Sequence, residues 1–167
     1  PPRSPEEWEK TWETLQHHPY YQEVQKRMDA YKEISPDGMV TEWSKANNSG
    51  PDGNYTPQRQ QVHEQIIGKL LNPAAKAKPG QKPIAVLLMG PPAAGKTSAG
   101  APMMDKFGVE FTTINPDDVK EMLPEYKGWN AGLLHEESSD IAEKDLTERA
   151  IRDNHNMLFD MTGKNGD

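Results

Sequence analysis

The stretch IAVLLMGPPAAGKTS, residues 84 to 98, constrains this chain more than any other. The apolar run Ile84 to Met89 gives way at once to a turn, Gly90-Pro91-Pro92-Ala93-Ala94-Gly95, followed by Lys96, Thr97 and Ser98. That order satisfies the G-x-x-x-x-G-K-[ST] phosphate loop. Gly90 and Gly95 let backbone N–H groups close round phosphates, with Pro91, Pro92, Ala93 and Ala94 forming the rest of the cradle, and the helix that follows adds its dipole. Lys96 reaches the terminal phosphates, and the Thr97 hydroxyl, with Ser98 behind it, is placed to bind Mg²⁺. An apolar run of this length reads as a strand buried on both faces of a parallel sheet. The expected fold is therefore an α/β phosphate-loop NTPase, a parallel sheet with flanking helices, and the cofactors it asks for are ATP or GTP and Mg²⁺.

The rest of the chain supplies the other elements. Ser4-Pro5-Glu6-Glu7 has a capping hydroxyl, a proline at the first helical position and carboxylates at the positive end of the dipole, so a helix is expected to start there. Trp8, Trp12 and Leu15 then form one apolar stripe that is expected to dock as core. A second helix fits residues 20 to 34, with Tyr20, Val24, Met28 and Tyr31 on one face, and Ser35-Pro36-Asp37-Gly38 ends it. His17 and His18 read as a polar turn between the two. Residues 37 to 55 are rich in turn formers and read as loop, with Trp43 as an anchor. Thr56-Pro57 repeats the cap-plus-proline start, and Val62, Ile66, Ile67, Leu70 and Leu71 make a helical stripe. Residues 72 to 83 read as a flexible connector. The chain thus divides into an N-terminal helical segment and loop, 1–54, and a phosphate-loop core, 55–167.

Within that core a helix is expected from 95 to 106, bent or shortened by Pro102. A second strand is expected at 110 to 114, a helix capped by Asn115 from 116 to 122, a longer helix from 133 to 153, and a third strand from Met157 to Phe159. Asp160 ends that strand, where a phosphate-loop protein holds Mg²⁺ or its water. Asp117 and Asp118 open the helix after the second strand, at the carboxyl edge where open α/β sheets bind ligands. A carboxylate there can accept the proton of an attacking hydroxyl. With a net charge of −7, the chain opposes a nucleic-acid backbone, and small phosphorylated molecules are the better substrates. Cysteine is absent, which removes thiol catalysis and thiolate metal sites. No apolar run approaches the ~20 residues of a membrane span, so no membrane partner is expected.

The loop GPPAAGKT, the segment INPDDVKEMLPEY from 114 to 126, HEESSDIAE from 135 to 143 and FDMTGKN from 159 to 165 together resemble the zeta-toxin family of phosphate-loop kinases, and YTPQRQQVHEQII, 55 to 67, resembles the helix that leads into their loop. The resemblance implies ATP- or GTP-dependent phosphorylation of a hydroxyl on a small nucleotide-like metabolite, UDP-N-acetylglucosamine or, in related effectors, NAD. It implies a role as a bacterial toxin or effector and an antitoxin partner. By the same resemblance Lys96 and Asp117 are catalytic, Thr97 and Asp160 hold the metal, and Asp118, Thr162 and either Glu137 or Glu143 face the substrate. Met161 stands where that family usually has Gly.

The family also has further strands and an arginine-bearing lid, whereas this chain reaches only a third strand. The core is thus expected to be incomplete at its C-terminal side, either as a fragment or as a half completed by another polypeptide. A different reading is a non-catalytic nucleotide-binding or interaction module, in which Trp8, Trp12, Tyr20 and Tyr21 dock an antitoxin, a chaperone or the remaining half of the kinase. A third, polynucleotide kinase, sits poorly with the acidic balance. The expected location is cytoplasmic, with delivery into another cell left open.

Overall fold

The computed structural model describes residues 4–34, 40–89 and 100–160. Helix α1, Pro5–Gln16, starts with a complete capping box: the Ser4 hydroxyl accepts from the Glu7 N–H while the Glu7 carboxylate accepts from the Ser4 N–H. Helix α2, Pro19–Ile34, packs against α1 through the edge-on contact of Trp12 with Tyr21, ring centroids 5.4 Å apart. The expected docking of their apolar faces as core is not what the structure shows, since Trp12 is 50% and Tyr20 74% exposed. The contact with Tyr21 covers only part of the Trp12 ring. The turn 35 to 38 lies outside the described residues.

Residues 40 to 48 correct the loop expected there. A 3₁₀ turn at Val40–Glu42 leads into helix α3, Trp43–Asn48. Its sequence has no strong helix signal of its own, and the buried Ser44 explains why it forms: the hydroxyl is tied to a carboxylate far along the chain, so the helix is held by tertiary contact. A tight turn follows, closed by the bridge between Ser49 and Tyr55. Helix α4, Pro57–Leu70, then starts as expected on the Thr56 hydroxyl, which accepts from the Arg59 N–H.

The connector 72 to 83, expected to be flexible, is pinned to the sheet. Ala75 is fully buried, Lys76 bridges His155, and the Ala75 carbonyl accepts from the Asn156 N–H at 2.7 Å. Strand β1, Ala85–Leu88, pairs with β3, Met157–Asp160, and β3 pairs in turn with β2, Thr112–Ile114, all parallel in the order β1-β3-β2. The last of the three in sequence is therefore the middle one in the sheet. This order also corrects the expectation that the Ile84–Met89 run is buried on both faces. Strand β1 lies at the edge, and Leu87 and Met89 remain 59% and 80% exposed.

Between the strands, α5 covers Gly100–Phe107 with Pro102 inside it, while the preceding positions lie outside the described residues. Helix α6, Pro116–Met122, starts on the Asn115 cap. The long helix is a rod of three parts: α7, His135–Ser139; a π-helical segment, Asp140–Leu146; and α8, Thr147–Arg152. It ends in a Schellman motif with Asn154 in the left-handed region at φ 62°, where the Asn154 and His155 N–H groups donate to the Ile151 and Ala150 carbonyls. The core lies where α4, α6 and the rod meet: Ile66, Ile67, Val119, Leu134, Ile141 and Leu146 are buried with Ile114 of β2, and Phe159 of β3 packs against them. No described helix is long and apolar enough to cross a membrane.

Candidate functional site

Parallel strands deliver their carboxyl ends to one edge, and here that edge gathers the acidic residues. In the β1–β3 register Leu88 lies beside Asp160, and in the β2–β3 register Ile114 lies beside Phe159. Asp160 therefore stands between the residue that leads β1 toward the loop sequence and Asn115, which leads β2 into α6. The Asn115 side chain joins the two: its Oδ1 accepts from the Asp117 N–H at 2.9 Å while its Nδ2 donates to Asp160 at 3.5 Å. One carboxamide thus caps α6 and orients the carboxylate at the end of β3.

Asp117, its side chain 63% exposed, is held at 3.1 Å by the Lys120 ammonium one turn on. Asp118 is exposed as well, yet partial desolvation and the charges of Glu121, Asp160 and Asp117 push its carboxyl above the usual range. Crowded carboxylates at one sheet edge are the oxygen donors that suit Mg²⁺, which binds through one or two carboxylates and keeps several waters. Among the described residues no group of three or more His, Asp or Glu is arranged to hold a metal ion. Of the other expected site residues, Gly90, Pro91, Pro92, Ala93, Ala94, Gly95, Lys96, Thr97, Ser98 and Thr162 lie outside the described residues.

Glu137 and Glu143 fall in different surroundings. Glu143 is half-buried on the π-helical segment. Glu137 is fully buried, and this corrects its expected place facing a substrate: its oxygens are taken by protein donors. Arg59 Nε donates to Oε1 at 2.5 Å and Nη2 to Oε2 at 3.0 Å, His63 Nε2 stands 2.7 Å from Oε1, and the Ser44 hydroxyl donates to Oε2. Burial alone would push the Glu137 carboxyl up; the hydrogen bonds from His63, Arg59 and Ser44, with the Arg59 charge, outweigh it and bring its pKa down to about 2. Arg59 is 5% exposed and grips a second carboxylate, Glu125, through Nη1 and Nη2, both at 2.8 Å.

The sequence carries a signal for this network in the spacing of two residues. Arg59 and His63 lie four residues apart and continue the stripe of Ile66 and Ile67 toward the start of α4, so a cation and an imidazole occupy core positions. Such residues are buried only when paired.

The depressed pKa has a consequence for stability. Because Glu137 titrates lower folded than its ordinary 4.5, its contribution is present above that value and is lost as pH falls from 4.5 toward about 2. Urea unfolding followed from pH 7 to pH 2 is expected to show this loss, and Glu137→Gln, already destabilised at pH 7, is expected to lose less over the same range. An equal loss in both proteins would remove Glu137 as its source.

A family model described as Zeta toxin matches residues 70–167, more than half of the chain and all of the sheet. No curated protein and no solved structure matches the chain.

Proposed function

We propose, on the premise that this chain belongs to the zeta toxin family and so to kinase-like phosphotransferases, that it transfers the terminal phosphate of ATP or GTP to a hydroxyl of a small nucleotide-like metabolite. The observation that supports this most is the sheet edge. The strand leading into the loop sequence, the carboxylate ending β3 and the carboxylates opening α6 all arrive at the same side of three parallel strands. Phosphoryl transfer depends on positioning and charge neutralisation, and such an edge can supply both.

In this reading the loop from Gly90 to Ser98 holds the nucleotide, with Lys96 on the terminal phosphates. Thr97 and Asp160 would hold Mg²⁺, which supplies charge neutralisation on the transferring group when bound. Asn115 keeps the Asp160 carboxylate turned toward the edge, as its 3.5 Å contact suggests. Asp117 orients the acceptor hydroxyl and takes its proton. It is exposed, and among the described residues its side chain is held by the single ammonium of Lys120, which leaves its other oxygen open to an acceptor hydroxyl. Asp118 and Thr162 border the acceptor, and Glu143 is the better substrate contact on the rod because Glu137 has no exposed surface. Membership of the zeta toxin family supports, as part of the same reading, a role as a bacterial toxin or effector with an antitoxin as partner.

The test is direct. Protein supplied with ATP or GTP, Mg²⁺ and either UDP-N-acetylglucosamine or NAD is expected to yield a monophosphorylated acceptor by mass spectrometry, with the product lost without Mg²⁺ and in Lys96→Ala. Nucleotide binding with no phosphorylated product from either acceptor would overturn the reading for these acceptors. It would favour the interaction module instead, for which the exposed Trp12 and Tyr20 on α1 and α2 speak.

A further inference from the structure

The buried network around Arg59 does more than fill the core, because of where it lies. Asn72, just past the end of α4, donates its N–H to the Thr112 hydroxyl at the start of β2, 3.0 Å away. The C-terminal end of α4 therefore meets the amino edge of the sheet. With 14 residues α4 spans about 21 Å at ~1.5 Å per residue, against about 13 Å for a four-residue strand, so its first turn reaches the level of the carboxyl edge or beyond. The rod runs the same way, entering β3 at its amino end through Asn154 and His155, so Glu137 near the start of the rod is also at the far end. Arg59, Glu137 and Ser44 thus sit toward the end of the sheet that presents Asp117, Asp118 and Asp160.

Helix α6 needs an external support there. It has seven residues, too few to hold its own shape, and buries Pro116 and Val119, with Leu123 just beyond. Its first turn is fixed by the Asn115 cap. Beyond its last turn, the Asn130 side chain donates to the Glu125 carbonyl at 2.8 Å, and the Glu125 carboxylate meets the guanidinium. Arg59 cannot shift in response, since Glu137 and Ser44 hold its other donors. Buried ion networks gain little net stability over well-packed apolar residues, whereas a planar fork between two carboxylates fixes distance and angle at both.

We infer that Arg59 is a positioning residue for phosphoryl transfer: braced by Glu137, it grips Glu125 and so sets the placement of α6, which carries Asp117 and Asp118. The inference rests on the kinase reading above. Glu125→Ala releases α6 while leaving the Arg59–Glu137 pair in place, and because the Glu125 side chain is 30% exposed its loss is compatible with folding. The expected result is at least tenfold faster amide hydrogen exchange over residues 116 to 123, with exchange in α4 and the rod unchanged. With Mg-ATP and UDP-N-acetylglucosamine, kcat falls about 10- to 100-fold while the Kd for ATP stays within twofold, the pattern of a displaced catalytic group. Glu125→Gln, which keeps the side chain's shape and one acceptor oxygen, recovers part of both effects. Parent-like exchange over α6 in Glu125→Ala overturns the brace, and faster exchange with unchanged kcat overturns its role in transfer. A parent protein that phosphorylates no acceptor counts against the kinase reading itself, and exchange over α6 then decides the brace separately.

Discussion

Arg59→Met is expected to lower the unfolding free energy at pH 7 by about 3–5 kcal/mol, the cost of leaving a buried charge without its partner. The carboxylate left behind is Glu137, fully buried, with His63 and Ser44 its remaining donors. Glu125, on the other side of the lost guanidinium, adds a second negative charge but can turn toward water. Without Arg59 the desolvation of Glu137 is no longer outweighed as it is in the parent, so its carboxyl titrates higher and takes up a proton more readily. The difference between parent and variant is therefore largest near neutrality and narrows as pH falls below the ordinary glutamate value of 4.5, where unfolded and variant proteins are both protonated. Urea denaturation of both proteins at pH 7 and pH 4 measures this. The double variant Arg59→Met, Glu137→Leu is expected to recover at least half of the loss, because an apolar pair of similar volume removes the buried charge. A double variant no more stable than Arg59→Met would mean that the packing of the arginine stem, rather than its charge, carries the effect.

The same residues mark the limit of what could be read from the sequence. The starts of α1, α4 and α6 were legible because their causes are local: Ser4, Thr56 and Asn115 each precede a proline and satisfy N–H groups within three residues. The strands were legible, β1 and β3 from their apolar runs and β2 from its β-branched Thr112, Thr113 and Ile114. Which of them lies in the middle was not, because strand order is set by crossovers, and Ile84 to Met89 reads the same at an edge as at a centre. Helix α3 was missed for a related reason. What holds it is a hydroxyl that meets Glu137 across 93 positions of chain, and no local window contains both. The acidic residues of the edge could be picked out singly, since Asp117 and Asp118 follow β2 and Asp160 ends β3. The internal geometry of the edge, with Asn115 bonded at once to Asp117 and Asp160, depends on β2 lying next to β3.

Asp117→Asn carries the largest expected effect on activity, a loss of about 10²–10⁴-fold in kcat, the range for removing a positioned general base. The substitution keeps shape and volume. Its structural cost is small, since it removes one negative charge from the start of α6, worth about 0.3–1 kcal/mol with the helix dipole, and one exposed contact to Lys120. The Asn115 cap, which accepts from the Asp117 backbone N–H, is untouched. Nucleotide affinity is expected to stay within twofold, because in the proposed function phosphate binding falls to residues 90–98 and not to α6. Kinetics with UDP-N-acetylglucosamine, beside ATP binding by calorimetry, separate the two quantities: Asp117→Asn keeps binding and loses turnover, whereas Lys96→Ala loses both. Turnover at the parent rate in Asp117→Asn would move the base role to its neighbour. Asp118 is the carboxylate that partial desolvation and the charges of Glu121, Asp160 and Asp117 already push upward, toward the pH at which a base both holds and releases a proton. Asp118→Asn would then carry the loss instead, and the acceptor hydroxyl would have to lie on the Asp160 side of α6.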